Sequence, residues 1–438
     1  LGGKGHWSYG LDQLNLWLGN RKDRSLIILP GTRDEALELQ ELSSISEKLV
    51  NKLSELFIEG GNTNIKKALF IFYQLLEQKK VKAEEIKIIR TVEPIKWDWK
   101  DEQKPKIGII MYKSLYQSGD LDLPKLLNKK LREKGFSPRL IFLSSIKYLN
   151  NKLRVLEIFK QERVSAVITS NSFAVMNPTQ EQDYNSLWDN LNVPVLQILT
   201  SSINKDSWRL SSTGLSNTDL LLQVILPEFD GRITTKICSF KTVHSSHSTL
   251  STAILKCEPD QESINWISDH CLKLHNLCTL ENKHKKVCIN LSNYPLRNGR
   301  LANGVGLDTP ASLLNLLKEL KNCGYYLGSN RLEDSSKELF EEILSFRTND
   351  PESIYKEPLC YISFDQYKDN WELLPKEAKE LMEKRWKEPG KSEDLEKEGF
   401  AIHGIRKGNV LILIQPARGY DPENYEDLHS PDLPPPHR

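Results

Sequence analysis

The sequence lacks any long hydrophobic run and any marked excess of charge. Among its 438 residues, no apolar stretch approaches the roughly 20 residues that a helix needs to cross a bilayer. The longest apolar stretch, near Ala68–Leu76, is interrupted by Tyr73 and Gln74. The 60 basic and 59 acidic residues give a formal net charge of +1, so the basic patch that nucleic-acid binding requires is not indicated. We therefore expect neither a membrane span nor a nucleic-acid partner.

A signal peptide, paired cysteines and nucleotide-binding glycine motifs are also missing. The seven cysteines are irregularly spaced with no CxxC, which is typical of reduced thiols in a cytoplasmic protein. Gly299 and Gly304 have the separation of a P-loop, but Val305-Gly306 stands where a P-loop has Lys-Ser/Thr. No GxGxxG follows either. ATP and dinucleotides are therefore not expected to bind this chain directly.

What the sequence does contain is an alternation of strand and helix patterns between residues 104 and 235. The predicted strands are Lys106–Met111, Arg139–Leu143, Ala166–Thr169 and Pro194–Leu199. Strands that alternate with helices form a parallel sheet flanked by helices. Near the end of the chain, Ala401–Ile405 and Asn409–Ile414 predict a β-hairpin around a tight turn. The predicted class is α/β, with several parallel-sheet α/β domains, flanking helices and a C-terminal β-hairpin region.

Changes in composition suggest four segments. They are 1–100, the end of an N-terminal α/β domain; 104–235, a Rossmann-like α/β domain; 236–285, a connecting β and helical segment; and 286–438, a second α/β domain. The charged stretch Pro94–Pro105 is a candidate linker, and Ser25–Pro30 is a predicted strand. The chain starts at Leu1 without methionine and stops at PPPHR, so both ends are predicted to be cuts through a longer protein.

Small polar residues follow the predicted strands of the 104–235 segment. They are Tyr112-Lys113-Ser114, Ser144-Ser145, Ser170-Asn171-Ser172-Phe173 and Thr200-Ser201-Ser202. Ligands of parallel sheets sit beyond the carboxyl ends of the strands, and these residues suit such a cleft. Each group taken alone is explained more simply as a helix cap.

The longest connection in the chain lies between a predicted strand, Val287–Leu291, and a predicted helix whose N-cap is Thr309. It spans Asn293–Asp308, whereas strand-to-helix loops usually have about 2–6 residues. Its glycines allow close backbone approach, and Arg297 and Arg300 beside a helix N-terminus favour anions. The loop is therefore a candidate binding site for a carboxylate or phosphate group. The alternative is a long structural loop with solvated arginines.

Two further groups of residues have the chemistry of a metal or proton site. Glu228 and Asp230, which follow a helix predicted to end at Pro227, are placed to bind a divalent metal or accept a proton; the alternative is a turn. Cys271, His275 and Cys278 lie on one predicted helix face. Their spacing matches no structural zinc pattern, so a metal site there is the less favoured hypothesis.

Several motifs, found in order along the whole chain, resemble the CobN/magnesium-chelatase family. They include EGG-x-x-N from Glu59, VILPEFDG around Glu228, SNYPLRNGRLANGVGLDTPASLLNLLKELKNCGY, LLPKEAKELMEKRWKEP, and GNV with QPARG near the end. A final segment, LHSPDLPPPH, has Ser430 where the family usually has Asp after the histidine. The family's HGTHG segment is expected after His437, so this chain is expected to hold only part of an active centre.

The resemblance implies the large subunit of a cobaltochelatase, which inserts Co²⁺ into hydrogenobyrinic acid a,c-diamide during cobalamin biosynthesis. It implies an AAA+ ATPase subunit and an integrin-like-domain partner, which use ATP and Mg²⁺. GLDTPAS at Gly306–Ser312 and Arg418 in QPARG favour cobalt over the magnesium-inserting members. The alternatives are a magnesium chelatase large subunit acting on protoporphyrin IX and a truncated, non-catalytic tetrapyrrole-binding module.

Site roles follow from the resemblance together with side-chain chemistry. Guanidinium groups bind carboxylates in a bidentate manner, and imidazoles bind metals or move protons near neutral pH. The expected catalytic residues are Glu228 and His437. The expected substrate-binding residues are Arg297, Arg300, Asn303, Gln415 and Arg418. The expected metal ligands are His429 and His437.

Overall fold

An interior strand of the larger sheet has the sequence KIGIIMY, five residues of which are almost completely buried. The computed structural model describes residues 8–19, 24–29, 42–175, 187–249, 251–293, 298–329, 332–386 and 399–416. It divides the chain into two compact units, Leu1–His275 and Asn276–Arg438. Among the described helices, none combines the length and the apolar character that crossing a bilayer demands. This division into two units does not test the four segments predicted from composition, which stay a prediction.

The first unit contains a sheet of seven described strands. They are β1 (Ile95–Trp97), β2 (Lys106–Tyr112), β3 (Ser137–Leu143), β4 (Val164–Thr169), β5 (Val195–Ser201), β6 (Ile233–His247) and β7 (Thr252–Pro259). The spatial order is β1-β3-β2-β4-β5-β6-β7. Strands β2 to β6 are parallel to their neighbours, and β1 and β7 add antiparallel edges. The predicted α/β class is confirmed.

Helices cover both faces of this sheet. The described helices of the first unit are α1 (Ser8–Leu18), α2 (Glu47–Glu59), α3 (Gly61–Leu76), α4 (Lys113–Ser118), α5 (Asp122–Glu133), α6 (Leu149–Glu162), α7 (Leu187–Leu191), α8 (Lys205–Leu210), α9 (Asn217–Leu220), α10 (Leu226–Phe229) and α11 (Gln261–Thr279). Alternate residues of a strand face opposite sides, so β2 contributes Ile109 to one core and Ile110 to the other. Gly108 allows the Phe159 ring of α6 to approach, since a Cβ there would lie 2.7 Å from that ring.

Three local predictions for the first unit are wrong. The candidate linker contains β1, because Trp97 and Trp99 pack against the cores and the Trp99 indole donates to Leu140 O at 2.7 Å. Residues 24–29 form no strand; Ser43 and Ser44 hydroxyls accept their amide hydrogens instead. The helix does not end at Pro227. A π-helical turn, Leu221–Ile225, precedes it and α10 continues to Phe229, which accommodates the proline's missing N–H.

The second unit is built on a smaller sheet in the order β11-β12-β8. Its described elements are β8 (Val287–Leu291), α12 (Thr309–Asn322), α13 (Ser336–Ser345), β9 (Cys360–Ile362), α14 (Phe364–Glu372), α15 (Lys376–Trp386), β10 (Phe400–Ile402), β11 (Gly404–Lys407) and β12 (Val410–Ile414). β8 is parallel to β12. β11 and β12 form a hairpin as predicted, but its first strand starts at Gly404, because Ala401 and Ile402 belong to β10, which pairs with β9. Helices α12 and α13 pack on this sheet through Leu317 and Ile343.

The N-cap of α12 is Asp308 and not the predicted Thr309. The Asp308 carboxylate accepts the Ala311 amide hydrogen at 3.0 Å. A carboxylate is a strong N-cap, because it accepts the free amide hydrogens and its negative charge is stabilised by the positive end of the helix dipole. The long loop therefore ends at the N-cap residue, Asp308. Pro310 lies in the first turn of the helix, as expected from its fixed φ.

A buried ion-pair cluster connects the helices of the first unit to its sheet. The side chain of Lys113 is 5% exposed, and its ammonium lies 3.3 Å from Glu59 and 3.2 Å from Glu93. Glu93 Oε2 also accepts hydrogen bonds from Ser144 N at 2.8 Å and Ser144 Oγ at 2.7 Å. Burial raises the pKa of Glu93, but these hydrogen bonds and Lys113 outweigh burial, so the pKa lies below its ordinary 4.5.

Replacing Glu93 with Gln is expected to lower the free energy of unfolding at pH 7 by about 1–3 kcal/mol, because charged hydrogen bonds contribute on that order. A lowered folded-state pKa gives stability that is present above the unfolded value and lost as the pH falls through the folded value. The difference between wild type and Glu93→Gln should therefore shrink below pH 4.5. Urea unfolding at pH 7 and pH 3.5 measures it. The exposed Glu84→Gln serves as control, and a difference unchanged at low pH would contradict the assignment.

Candidate functional site

The long loop after β8 begins at a buried asparagine. Asn293 is 4% exposed, and its Oδ1 accepts the Ala302 amide hydrogen at 3.4 Å. Its Nδ2 is buried without a hydrogen-bond partner in the described part of the chain. Asn298–Arg300 forms a single 3₁₀ turn, and Ala302 adopts a left-handed φ of 57°. A non-glycine residue in that region needs support from its surroundings, and here the Asn293 side chain holds the Ala302 amide.

A second segment, residues 347–353, anchors the same loop. Asp350 Oδ2 accepts the Asn298 amide hydrogen at 2.9 Å, and the Thr348 hydroxyl donates to Asn298 Oδ1 at 2.8 Å. The hydroxyls of Thr348 and Ser353 lie 3.0 Å apart, and both residues are buried. The described part of the loop is therefore anchored by hydrogen bonds at Asn298 and Ala302. Sequence reasoning missed this segment, although Asp350-Pro351 is a turn signal.

A hydrogen-bonded chain at the carboxyl end of the small sheet fixes the orientation of a histidine. Gln415 N donates to Leu291 O at 2.9 Å, which joins the ends of β12 and β8. Asn349 Nδ2 donates to Gln415 O at 2.8 Å, and Asn349 Oδ1 lies 2.9 Å from His403 Nδ1. Since that oxygen accepts, Nδ1 carries the proton and the basic nitrogen of the neutral ring is Nε2. His403 and Asn349 were also missed from the sequence.

The predicted site residues within the described ranges lie in both units. Arg300 and Asn303 are exposed on the loop, and Gln415 is half-buried at the end of β12. Glu228 belongs to the first unit, where its exposed carboxylate accepts the Thr234 hydroxyl at 3.0 Å. Four predicted residues lie outside the described ranges, namely Arg297, Arg418, His429 and His437.

Glu228 does not share a site with the neighbouring carboxylate. Asp230 is buried, and its Oδ2 accepts from Arg232 at 2.6 Å and from Val175 N at 2.6 Å. Across the described ranges, no three His, Cys, Asp or Glu residues group to hold a metal ion. Burial raises the pKa of the Cys271 thiol to about 12, which keeps it protonated, whereas metal ligation needs a thiolate. Cys271 is therefore a core residue of α11.

The polar strand ends of the first unit separate into two groups. Tyr112, Ser144-Ser145 and Asn171–Phe173 border a cavity of about 220 Å³ at the ends of β2, β3 and β4. The group after β5 is instead covered by the turn before α10. Gln223 Oε1 accepts from Thr200 N at 2.7 Å, and Asp219 Oδ2 accepts from Ser202 N at 2.9 Å. Three of the four strand ends therefore border a cavity and the fourth does not, and a ligand in that cavity stays a prediction.

In both units, polar loops thus follow the carboxyl ends of parallel strands. This is where α/β proteins with parallel sheets bind their ligands. The match to the protein-family model described as CobN/Magnesium Chelatase spans residues 54–438, and the chain belongs to that family. Metal chelation is the reaction for which the family is named. The resemblance predicted from the motifs is therefore confirmed.

Individual relatives agree with this membership. The chain is 30% identical to "Aerobic cobaltochelatase subunit CobN" of Sinorhizobium sp and 28% identical to that of Pseudomonas aeruginosa, in each case over 100% of this chain and 35% of the relative. "Magnesium-chelatase subunit ChlH, chloroplastic" of Oryza sativa subsp. indica is 24% identical over 77% of this chain and 24% of its own. The chain spans about a third of the length of these cobaltochelatase relatives.

The fold has a counterpart among solved structures. The "Catalytic Subunit of Cobaltochelatase from Mycobacterium tuberculosis" superimposes with a TM-score of 0.71 at 23% identity, over 100% of this chain and 36% of that protein. At this identity the likeness concerns the fold, and it agrees with the α/β architecture described above.

Replacing Thr348 with Val is expected to loosen the loop, because the hydroxyl bonded to Asn298 is lost while the side-chain volume is kept. The free energy of unfolding should fall by about 1–2 kcal/mol, and amide hydrogens of residues 298–303 should exchange faster. Hydrogen exchange with mass spectrometry measures the exchange of residues 298–303. Ser345→Ala removes an exposed hydroxyl of the same unit and should leave the loop unchanged. Equal exchange in the two variants would show that Thr348 does not anchor it.

Proposed function

We propose that this chain is the tetrapyrrole-binding portion of a cobaltochelatase large subunit, which inserts Co²⁺ into hydrogenobyrinic acid a,c-diamide in cobalamin biosynthesis. The observation that supports cobalt is the extent of similarity. Both cobaltochelatase relatives align with the entire chain, whereas the rice magnesium-chelatase relative aligns with 77% of it at lower identity. A magnesium chelatase large subunit acting on protoporphyrin IX is the second candidate.

Metal insertion sets two chemical requirements: the ring N–H protons must leave, and the hydrated metal must lose its water. Imidazole is a suitable proton acceptor near neutral pH, and His437 is our candidate for this role. His403 is not a candidate, because its Nε2 is buried. Glu228 stays a proposed acid or base of the first unit. The metal is substrate here, and His429 and His437 are proposed as its ligands.

The acidic side chains of the corrinoid need cationic anchors. Arg300 is exposed on the anchored loop, and Arg297 and Arg418 are proposed beside it as carboxylate clamps because guanidinium binds carboxylate through two parallel hydrogen bonds. Asn303 and Gln415 are proposed as neutral hydrogen-bonding partners, which suits the amide groups of an a,c-diamide. This division of charged and neutral donors matches a substrate that carries both acids and amides.

ATP is proposed to act through partner subunits. The sequence has no P-loop, so an AAA+ ATPase subunit and its integrin-like-domain partner would bind ATP and Mg²⁺. We propose a cytoplasmic location for the assembly. Since the chain spans about a third of its relatives, a ring-binding module without activity of its own is a further candidate.

An absorbance titration of the chain with hydrogenobyrinic acid a,c-diamide, and in parallel with protoporphyrin IX, tests the proposal. Selective binding of the corrinoid is expected, with a saturable shift of its absorption bands. Selective binding of the porphyrin would move the assignment to magnesium chelatase. Binding of neither would contradict a ring pocket within these residues.

Replacing Arg300 with Ala is expected to weaken corrinoid binding by about 1–3 kcal/mol, which is the usual contribution of a hydrogen bond to a charged group. Lys318→Ala is the matched control, because it removes one exposed positive charge from α12 of the same unit. The two dissociation constants should differ by roughly five-fold or more at physiological ionic strength. Equal affinities would exclude Arg300 as an anchor and leave only general charge attraction.

A further inference from the structure

The cavity of the first unit lies where the direction of chain connection reverses. From β2 the chain passes to β3 on one side and then returns to β4 on the other side. Open parallel sheets bind their ligands at such a switch point, outside the carboxyl ends of the strands. The cavity of about 220 Å³ occupies this position, and its lining includes Tyr112, Lys147, Asn171 and Phe173.

Asn171 brings an unsatisfied hydrogen-bond donor to this cavity. The residue is 1% exposed, and its Oδ1 receives the Thr169 hydroxyl at 3.4 Å. Its Nδ2 has no hydrogen-bond partner among the residues that the structure describes. Buried donors are nearly always paired, so an unpaired amide at a cavity wall indicates that an acceptor belongs there.

The charges around the cavity favour an anion as that acceptor. Lys147 forms no ion pair within the described ranges, and its ammonium stacks over the Phe173 ring at 5.0 Å. Of the nearby carboxylates, Asp230 is paired with Arg232, and Glu93 and Glu59 share Lys113. Glu93 also accepts hydrogen bonds from Ser144 N and Oγ, which leaves Lys147 as the cation available to a ligand.

Phe173, whose ring lies beneath the Lys147 ammonium, has an unfavourable backbone conformation. Phe173 has a φ of 65°, which L-residues rarely adopt and which tends to occur at ligand sites. Its N–H donates to Leu222 O at 2.9 Å, and its carbonyl accepts from Arg232 at 2.5 Å. Surrounding contacts thus hold the Phe173 ring beneath the Lys147 ammonium.

We propose that this cavity binds a small oxyanion, a carboxylate or phosphate on a molecule of few atoms, through Lys147 and Asn171. The volume limits the ligand, since pockets for drug-sized molecules have about 300–1,000 Å³. A tetrapyrrole is larger still and exceeds this volume. The proposal does not depend on the chelatase function and is tested without a tetrapyrrole.

The test uses the whole chain and measures its thermal unfolding with acetate, succinate or inorganic phosphate against chloride at equal ionic strength. A ligand that binds only the folded state raises the unfolding temperature with its concentration. At least one of the three oxyanions is expected to do so in a saturable manner. Lys147→Met should weaken the apparent affinity by about ten-fold, as expected for losing one charge-assisted contact.

Two further variants complete the design. Lys125→Met removes an exposed lysine of α5, which does not line the cavity, and should behave as wild type. Asn171→Asp places a carboxylate oxygen where the amide donor stood and should abolish the oxyanion effect. If Asn171→Asp does not fold, the pair Lys147→Met and Lys125→Met decides. Stabilisation no greater than with chloride, or equal affinity in those two variants, would overturn the proposal.

Discussion

A single buried guanidinium organises the carboxyl edge of the larger sheet. The side chain of Arg232 is fully buried, and it donates to Asp230 Oδ2 at 2.6 Å, to Asn171 O at 2.7 Å and to Gln197 Oε1 at 2.9 Å. Burial lowers the pKa of Arg232, and the Asp230 carboxylate offsets part of that effect. Removing either partner would leave an uncompensated buried charge, which is far more destabilising than the intact pair is stabilising. The loop after β4 is positioned by this pair.

The second unit holds its long loop and its hairpin by different interactions. Its long loop is held by amides, hydroxyls and one carboxylate from residues 347–353. Its hairpin is held by charge, since Lys407 contacts Glu333 at 2.5 Å and also pairs with Glu342. Burial lowers the pKa of Lys407, but the two carboxylates outweigh burial and leave it raised. Rigid sheet and hairpin therefore support a loop whose exposed face carries Arg300.

The sequence alone was sufficient to predict secondary-structure elements that are specified by neighbouring residues. Strands such as β2 and β8 and the β11–β12 hairpin were predicted because runs of apolar residues and a glycine turn specify them without reference to distant residues. The role of Trp97 in an edge strand was not predictable, since it depends on pairing with Leu140, 43 positions further along the chain. Likewise Asn349 and His403 meet only in the fold, because 54 residues separate them.

For the candidate site, residue chemistry predicted Arg300 and Gln415 but not the partners that position neighbouring groups. A histidine is a plausible base anywhere in a sequence, and only its hydrogen bond decides which nitrogen is basic. Here the order of donors settles the tautomer. Gln415 O can only accept, so Asn349 must present Nδ2 to it and Oδ1 to His403. The backbone just after β12 thereby orients the imidazole through one amide, and the sheet that carries Gln415 determines which ring nitrogen is protonated.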